Sequence, residues 1–496
     1  MTQPPEILRA AQIDRWNDEA DVIVVGMGIA GACAALEAQR AGADVLVIER
    51  ASAGGGASAL SSGIFYLGGG TAVQQAAGYE DTPQAMYDFL MANGVSPDAE
   101  IIRAFCDGCV EHFDWLEAEG VPFERSYFPG KAVFLTTTTC LMSTGNEKVW
   151  PYREVAKPAP RGHKVAREGE NAGSLAMEAL LARCAEAKLR THFDSQVTAL
   201  VIDDDGRVVG VRYRKTGEDR FARTARGVIL STGGYNMNKE LLAAHMPHML
   251  GNSEPLGVPY NDGAGILLGQ SAGAATQSMS GVIATASFYP PSQLIKGILV
   301  NTRGERFVAE DSYHGRTAAF ITEQPGRKAY LILDSEIFAY LILDSEIFAY
   351  PELTDFSHHT LVDGWETVEE MEAGLALPPG SLQRTLDDYN RHAENGEDPL
   401  LHKHPEWIKP LTAAPYAAFD VSFNKSVYLF ITLGGLKTNA RTEVIGVDGA
   451  VVPGLYAAGA CASSVSRDGK DYASGLSLGP GSFFGRVAGR LAASAG

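Results

Sequence analysis

The stretch from Val22 to Arg50 constrains the fold of this chain more than any other. Four β-branched residues at 22–25 predict a strand that is buried on both faces. Three glycines follow at Gly26, Gly28 and Gly31, and a helix-length segment comes next. In this spacing the first glycine permits a tight turn, the second lets the backbone approach a pyrophosphate, and the third packs the helix on the strand.

An acidic residue ends the second strand of the same unit. Val45–Ile48 predict this strand, and Glu49 follows it, eighteen positions beyond Gly31. A carboxylate about 20 positions past the glycines is typical of a group that hydrogen-bonds a ribose hydroxyl. The helix N-terminus would direct N–H groups and a partial positive charge at the phosphates. The unit predicts a dinucleotide site, and the plainer alternative is a glycine-rich turn in another α/β unit.

The composition indicates a globular protein with two domains. The chain has 496 residues, of which 45% are apolar, so it can bury a large core. A net charge of −19 argues against nucleic acid or an anionic membrane surface as a partner, because both select clustered lysine and arginine. The first twenty residues contain no apolar signal segment, and no run reaches the ~18 apolar residues that span a bilayer. We expect no membrane insertion and a cytoplasmic location.

The six cysteines do not form a disulfide or metal-binding pattern. They are scattered along a long chain, which is not typical of a disulfide framework. Cys106 and Cys109 have the CxxC spacing, but they lie in a helical pattern without a second pair, so we interpret them as buried thiols. We expect no metal.

Further along, small residues and strands alternate in a way that suits a phosphate-binding protein. The segment Gly54–Gly63 is too rich in small residues to pack a core, and its backbone N–H groups can wrap a phosphate. Residues 196–202 and 208–213 predict two strands joined by the turn Asp203–Gly206, as in a hairpin. A buried strand is predicted at 227–231.

Four motifs together make the chain resemble a known family. Besides the N-terminal fingerprint they are Ser231–Gly234, Asn261–Gly265 and Gly454–Gly459. Their order and spacing are similar to those of the FAD-binding domain of the succinate dehydrogenase and fumarate reductase flavoprotein superfamily. The resemblance implies an α/β fold, with a Rossmann-like FAD-binding domain of the glutathione-reductase type and an inserted α+β substrate-capping domain.

The implied capping domain contains an identical repeat. The resemblance places the FAD-binding domain at 1–280 and 420–496, and the capping domain at 281–419. Within the capping domain, Leu331–Tyr340 (LILDSEIFAY) recurs letter for letter at Leu341–Tyr350. A single repeat of this length is too short for a solenoid. We attach no function to it and expect a strand, a turn and a helix there.

The resemblance also implies where FAD binds. In this superfamily the last glycine motif returns to the first domain and meets the flavin ring. Ser477 and Leu478, at the start of the C-terminal helix, would then supply N–H groups to the flavin N1/O2 edge. The loop Gly56–Gly63 has no His-Thr-Gly attachment motif, so we expect non-covalent FAD. The residues expected to contact FAD are Gly26, Gly28, Ile29, Ala30, Gly31, Glu49, Arg50, Gly56, Ala57, Ser58, Ser62, Gly63, Val197, Thr232, Gly233, Asp262, Gly459, Ser477 and Leu478.

Three positions argue against a dicarboxylate substrate. Members of the superfamily that act on dicarboxylates need cationic groups to hold two carboxylates. By alignment, positions that carry binding groups in those members hold His314, Phe430 and Tyr472 here. Such groups favour a neutral, mostly apolar substrate. Through these replacements and the runs 310–316 and 472–486, the chain resembles the 3-ketosteroid dehydrogenase branch, most closely its Δ4-(5α) enzymes.

The Δ4-(5α) enzymes would oxidise the C4–C5 bond of a saturated 3-ketosteroid. By resemblance, Tyr472 would hydrogen-bond the 3-keto oxygen and Ser474 would accept the C4 proton, while hydride passes from C5 to FAD N5. A serine hydroxyl alone is a poor base, and Tyr313 would be its activating neighbour. Because Tyr472 and Ser474 are two positions apart, an extended segment would present both on one side. We expect His314 to orient a neighbour.

Simpler interpretations of these residues stay open. Tyr472 could be a half-buried aromatic residue, and Ser474 a turn residue near a helix N-terminus. Arg316 is expected to pair with Glu310 or Asp311 rather than with substrate. Functional alternatives are a Δ1-dehydrogenase, an enoate reductase, or a protein of FAD-binding fold that only binds a partner. A Tyr-Ala-Ser-Gly run, where Δ1 relatives have a Tyr-Pro-Gly-Gly type run, favours Δ4. The electron acceptor that reoxidises the flavin is not specified by the sequence.

Overall fold

The apolar β-branched runs of the sequence form strands. The computed structural model describes residues 3–285, 289, 292–343, 360–426 and 428–495. The strands are, in chain order, β1 (Leu8–Arg9), β2 (Asp18–Val25), β3 (Val45–Ile48), β4 (Ile64–Tyr66), β5 (Leu141–Met142), β6 (Gly162–Lys164), β7 (Arg190–His192), β8 (Ser195–Ile202), β9 (Val208–Lys215), β10 (Glu218–Leu230), β11 (Glu254–Pro255), β12 (Thr276–Gln277), β13 (Val282–Ala284), β14 (Ile298–Asn301), β15 (Ala329–Leu333), β16 (Thr360–Trp365), β17 (Tyr416–Asp420), β18 (Leu429–Thr432), β19 (Gly435–Lys437), β20 (Glu443–Ile445), β21 (Val451–Ala457) and β22 (Ala462–Ser463).

The helices begin where the sequence supplies a capping group or a glycine. Thr82 and Asp98, for example, accept hydrogen bonds from the first turns of the helices that follow them. The α-helices are α1 (Ile29–Arg40), α2 (Gly56–Ala59), α3 (Ala72–Ala76), α4 (Pro83–Asn93), α5 (Ala99–Ala118), α6 (Tyr152–Val155), α7 (Gly173–Glu186), α8 (Lys239–His245), α9 (Ala264–Ser271), α10 (His314–Glu323), α11 (Ser335–Leu343), α12 (Val368–Gly374), α13 (Ser381–Ala393) and α14 (Leu478–Ser494).

A mixed nine-stranded sheet forms the centre of the molecule. Strands β21, β10, β2, β3 and β7 lie side by side in parallel, and β8, β9 and the first half of β10 form an antiparallel extension. The predicted hairpin is therefore confirmed as β8–β9. Leu230 pairs with Val25 on one side and with Ala457 on the other. The loops that follow these three strands meet at one edge of the sheet, which is where ligands of open α/β sheets bind.

Two helices with small residues pack on the same face of this sheet. A Cβ added at Gly485 would lie 2.3 Å from the backbone oxygen of Ala30, and one at Gly489 would lie 2.2 Å from that of Ala34. Glycines in α14 therefore allow α1 and α14 to approach until their backbones touch. Because Gly481 also lies beside Ile29, both helices begin at the edge where the three loops meet.

A second, antiparallel sheet is built from the middle of the chain. Its strand order is β14, β15, β17, β16, and its strands fall between Ile298 and Asp420. This region coincides with the capping domain that the resemblance implies, whereas the division of the chain into domains stays a prediction. A buried charge cluster, formed by Arg306, Glu310 and Asp398, lies beside this sheet.

The structure describes one copy of the repeat and the start of the other. Leu331–Leu333 belongs to β15, and α11 begins at Ser335, so the first copy has the expected order of strand, turn and helix. The backbone of α11 continues to Leu343, and 344–350 lie outside the described residues.

Cys106 and Cys109 are buried, unpaired thiols. Within the described ranges, no helix combines the length and the apolar character that a bilayer crossing needs.

Candidate active site

One cavity collects the residues that the sequence singled out. Its volume is about 840 Å³, and it opens at the edge where the loops after β2, β10 and β21 meet. Small-molecule sites measure roughly 300–1,000 Å³, so this cavity suits a large ligand. Its lining includes Tyr313, Tyr472 and Ser474, together with every residue expected to contact FAD except Gly31 and Gly63.

Gly31 and Gly63 do not line the cavity but shape it through packing. A Cβ at Gly31 would lie 2.0 Å from the backbone oxygen of Gly26, because α1 crosses β2 there without any gap. A Cβ at Gly63 would lie 2.6 Å from the carbonyl carbon of Ala172, at the start of α7. The structure shows close contacts between backbones at both glycines, and their direct contact with FAD stays a prediction.

The N-terminus of α1 has the features of a phosphate site. Gly28 caps α1, and the N–H of Ile29 donates to Ser58 Oγ at 3.2 Å, which joins α1 to the small-residue loop. A Cβ at Gly56 would meet no atom within 4 Å, so this part of the loop leaves open space beside the helix. Free backbone donors at a helix N-terminus fit a pyrophosphate.

Glu49 orders the loop at the other end of the dinucleotide unit. Its carboxylate accepts hydrogen bonds from the N–H groups of Met27 at 2.6 Å and of Ala51 at 2.7 Å. Each carboxylate oxygen has further lone pairs, so the residue keeps acceptor capacity for a ribose hydroxyl. The structure thus adds a second task for Glu49, which is to fix the turn that carries Gly26 and Gly28.

An ion pair joins two of the predicted contact residues. Arg50 Nη1 lies 2.5 Å from Asp262 Oδ2, and the Arg50 guanidinium lies 4.7 Å from the ring centre of Tyr260. Both charged side chains are about one-third exposed, and surface pairs of this kind contribute little to stability. The pair, with Tyr260, instead forms one wall of the cavity, and Tyr260 was not expected from the sequence.

At the opposite end, the three predicted catalytic side chains lie together. Tyr313 Oη is 3.0 Å from Ser474 Oγ, and Tyr472 Oη is 2.8 Å from Ser477 Oγ at the start of α14. The rings of Tyr313 and Tyr472 are 6.3 Å apart. Burial raises the pKa of both phenols. Both therefore carry their proton at neutral pH and can donate it in a hydrogen bond.

The segment that carries Tyr472 and Ser474 is held by its backbone. The N–H of Ser474 donates to the Thr144 carbonyl at 3.0 Å, and the Gly475 carbonyl accepts from Tyr66 N of β4 at 3.1 Å. Gly475 has a φ of +98°, and a Cβ there would lie 2.3 Å from the Tyr66 nitrogen. An extended segment would present both side chains on one side, but Ser474 begins a turn here. These anchors, rather than strand geometry, direct both side chains into the cavity.

Near Tyr472, the lining residues that the structure describes include no lysine or arginine. His314 and Phe430 line the wall there, and among the described lining residues the single lysine or arginine is Arg50, which belongs to the dinucleotide end. Burial, reinforced by the Lys131 ammonium, lowers the pKa of His314 to about 3, so the imidazole is neutral. None of the described residues that line this wall would balance the charges of a dicarboxylate.

Two neighbouring side chains act differently from what the sequence suggested. Arg316 does not pair with Glu310 or Asp311, because its guanidinium donates to Tyr152 Oη at 2.7 Å and lies over that ring. Glu310 instead bonds Arg306 and is fully buried. The sequence could not separate these partners, because several charged residues follow one another in this run.

A carboxylate next to Tyr472 holds the same segment. Asp471 accepts hydrogen bonds from Ser466 Oγ at 2.7 Å, from Val95 N at 2.9 Å and from two N–H groups of its own loop. Burial raises its pKa to about 6. The ionised form is the one that accepts all four bonds. Protonation therefore weakens the anchoring of the segment as pH falls through this value.

With the FAD that the resemblance implies, flavin reduction by a substrate should slow as the pH falls below about 6. Asp471→Asn, which imitates the protonated carboxyl, should show the slow rate at every pH. The loss should reach at least about tenfold, because a hydrogen bond to a charged group is worth roughly 1.5–3 kcal/mol. The pH profile of the anaerobic reduction rate measures this, with the exposed Asp107→Asn as control. An unchanged acidic limb in Asp471→Asn would show that another group titrates.

Comparison with known proteins identifies the class. The FAD binding domain family matches residues 21–471, so the chain belongs to this family. It is an FAD-dependent oxidoreductase. A 3-oxo-5-alpha-steroid 4-dehydrogenase of Comamonas testosteroni is 31% identical over 92% of this chain and 95% of that protein. A fumarate reductase (cytochrome) of Shewanella frigidimarina is 26% identical over 98% of this chain and 79% of that protein.

A solved structure is similar over the whole chain. It is the crystal structure of a 3-ketosteroid-delta4-(5alpha)-dehydrogenase from Rhodococcus jostii RHA1 in complex with 4-androstene-3,17-dione. The two chains are 41% identical, the match covers 99% of this chain and 100% of the other, and the TM-score is 0.90. The expected resemblance to the 3-ketosteroid dehydrogenase branch is therefore confirmed, as is FAD as the cofactor.

Proposed function

We propose that the protein is a 3-ketosteroid dehydrogenase that introduces the C4–C5 double bond into 3-keto-(5α)-steroids. The observation that carries this proposal is the 3.0 Å contact between Tyr313 Oη and Ser474 Oγ, in a part of the cavity whose described lining residues carry no cation. A neutral ketone can occupy such a site without uncompensated charge. The similarity to steroid dehydrogenases of the Δ4-(5α) type supports the same substrate class.

Each of the three side chains then has one task. Tyr472 donates its phenol hydrogen to the 3-keto oxygen and so stabilises the enolate character that develops there. Ser474 Oγ takes the C4 proton and passes its own proton to Tyr313 Oη, and Tyr313 releases one proton towards solvent. FAD, when bound, supplies the acceptor at N5 for the hydride that leaves C5. The step therefore removes one proton and one hydride and leaves a conjugated enone.

The apolar wall supports a flat, neutral substrate. Phe134, Ile283 and Phe430 contribute apolar side chains to the same cavity as the catalytic group. Burial of a steroid against such surface is favourable by roughly 25 cal/mol per Å² of apolar area. Since His314 stays neutral, it adds a hydrogen-bonding group without adding charge.

The proposal predicts a specific substrate pattern. Under anaerobic conditions, a 5α-saturated 3-ketosteroid should bleach the flavin of the purified protein, and a 4-ene-3-ketosteroid should leave it oxidised. The product should show the ultraviolet absorbance of a conjugated enone. Bleaching by the 4-ene compound would instead indicate a Δ1-dehydrogenase. A protein that lacks flavin, or whose flavin no steroid reduces, would favour the enoate reductase or the binding protein.

We also propose that FAD is held without a covalent bond. Acid precipitation of the yellow protein should then release the flavin into the supernatant. Flavin that stays with the precipitate would contradict this part of the proposal and leave the substrate pattern to be judged separately.

A further inference from the structure

Two buried asparagines connect the two segments that carry the catalytic group. Asn146 Oδ1 accepts the backbone N–H of Tyr313 at 2.9 Å, and Asn146 Nδ2 donates to Asn93 Oδ1 at 3.0 Å. Asn93 Nδ2 then donates to the carbonyl of Asp471 at 2.8 Å. A continuous hydrogen-bonded chain thus runs from the backbone of Tyr313 to the residue that precedes Tyr472.

The loop that carries Asn146 also holds Ser474. The carbonyl of Thr144 accepts the N–H of Ser474 at 3.0 Å. Gly145 packs so closely that a Cβ there would lie 2.8 Å from the Cβ of Ala473. One short loop, residues 144–147, therefore contacts both sides of the Tyr313–Ser474 pair.

The burial of these amides requires an explanation. Asn146 is fully buried and Asn93 is 4% exposed. An amide withdrawn from water is unfavourable unless its groups are hydrogen-bonded, and an apolar residue would fill either position without that requirement. Each side chain here uses its oxygen and its nitrogen to reach a different segment. The amides are therefore suited to fix distances between segments and not merely to fill space.

We propose that Asn146, together with Asn93, positions Tyr313 against Ser474 for proton transfer. Tyr313 and Ser474 are 161 positions apart in the sequence, so their 3.0 Å contact depends on tertiary links of this kind. The assignment of a catalytic consequence rests on the proposed dehydrogenase function, whereas the structural link does not. Asn146 and Asn93 are positioning residues, because neither lines the cavity.

The first test measures the link itself in the FAD-loaded protein. Hydrogen–deuterium exchange of peptides that contain Tyr313 and Ser474 should be faster in Asn146→Ala than in the wild type. Asn93→Ala should accelerate exchange in the 471–474 peptide more than at Tyr313, because its donor reaches Asp471. The control is Asn301→Ala, a buried asparagine at the end of β14. Unchanged exchange in Asn146→Ala relative to this control would overturn the proposal.

The second test measures the catalytic consequence. Asn146→Ala should slow anaerobic flavin reduction by a 5α-saturated 3-ketosteroid roughly 10²-fold, as expected when reacting groups shift by about 1 Å. The steroid concentration at half-saturation should change little. If Asn146 acts through Tyr313, the double variant with Tyr313→Phe should be no slower than Tyr313→Phe alone.

The outcomes separate the two proposals. If no ketosteroid reduces the wild-type flavin, the proposed function is contradicted. The exchange measurement then decides whether Asn146 and Asn93 hold the two segments together. A wild type that is reduced, with additive losses in the double variant, contradicts the positioning role and leaves the function intact. If flavin reduction is as fast in Asn146→Ala as in Asn301→Ala, the positioning role is likewise contradicted and the function is left intact.

Discussion

Ser474→Ala is expected to slow flavin reduction by a 5α-saturated 3-ketosteroid by about 10²–10⁴-fold, the range that general base catalysis contributes. The variant removes the atom that lies 3.0 Å from Tyr313 Oη and leaves the backbone bond to Thr144 in place. The segment should therefore keep its conformation. Because Ser474 does not belong to the dinucleotide end of the cavity, the flavin spectrum of the variant should match that of the wild type.

Tyr472→Phe should cause a loss of similar size for a different reason. The phenyl ring keeps the packing, but the donor for the ketone oxygen is gone, and a single such donor is worth about 10²–10³-fold. Ser477 also loses its 2.8 Å partner. Steroid binding, measured by the perturbation of the flavin spectrum, should weaken far less than the rate falls.

Matched controls separate chemistry from folding. Ser422→Ala removes a buried hydroxyl that bonds the backbone of Ala329 beside the second sheet. Tyr213→Phe removes a buried phenol that bonds Asp18 on the central sheet. Both should keep the wild-type reduction rate. Full turnover in Ser474→Ala or Tyr472→Phe would mean that the site has been misassigned.

The parts of the fold that follow from local sequence were predicted correctly. The strand at Val22–Val25, the glycines after it, and the hairpin around Asp203–Gly206 each depend on the residues of one short segment. Hydrophobic periodicity and turn chemistry report such segments directly. The family resemblance predicted that motifs far apart in the chain come together, which no single segment of the sequence encodes.

The contacts that complete the site depend on segments far apart in the chain. The pair Arg50–Asp262 and the chain from Tyr313 through Asn146 and Asn93 are examples. An asparagine near the end of a helix or in a loop is normally a surface residue, so its sequence gives no sign of a buried network. Which hydrogen bonds form is decided by the packing of whole elements, and the sequence pattern does not report that packing.

Glu310 is a charged residue whose partners the sequence pattern likewise does not report. By alignment it opens the run in which His314 takes the position of an arginine of the superfamily, and Glu310 itself lies in a buried charge cluster. Arg306 donates to Glu310 at 2.8 and 3.0 Å and to both carboxylate oxygens of Asp398 at 2.9 Å. Lys403 Nζ lies 3.2 Å from Glu310. These groups have almost no solvent exposure and do not line the cavity, and Glu310 accepts a hydrogen bond from Leu299 N of the second sheet.

Removal of Arg306 should therefore destabilise the protein strongly. Arg306→Met leaves the Glu310 and Asp398 carboxylates buried, with Lys403 as the remaining cation of the cluster, and breaking a buried pair in this way costs about 3–5 kcal/mol. The free energy of unfolding, from urea denaturation followed by circular dichroism, measures the loss. Arg303→Met is the control, because its pair with Glu305 is more than half exposed and surface pairs are worth about 0–1 kcal/mol.

The pH dependence of this loss gives a second, independent check. In the wild type, burial alone would raise the pKa of Glu310 and Asp398, but Arg306, together with Lys403 and backbone N–H groups, outweighs burial and lowers both. Their contribution to stability is present above the ordinary carboxyl pKa and is lost as pH falls through the lowered values. In Arg306→Met burial prevails, so both carboxyls should titrate above their ordinary pKa and the variant should gain stability as pH falls. The difference between the two proteins should therefore narrow from pH 7 towards about 4. A difference that is small at pH 7, or that widens on acidification, would show that the cluster does not hold this part of the fold.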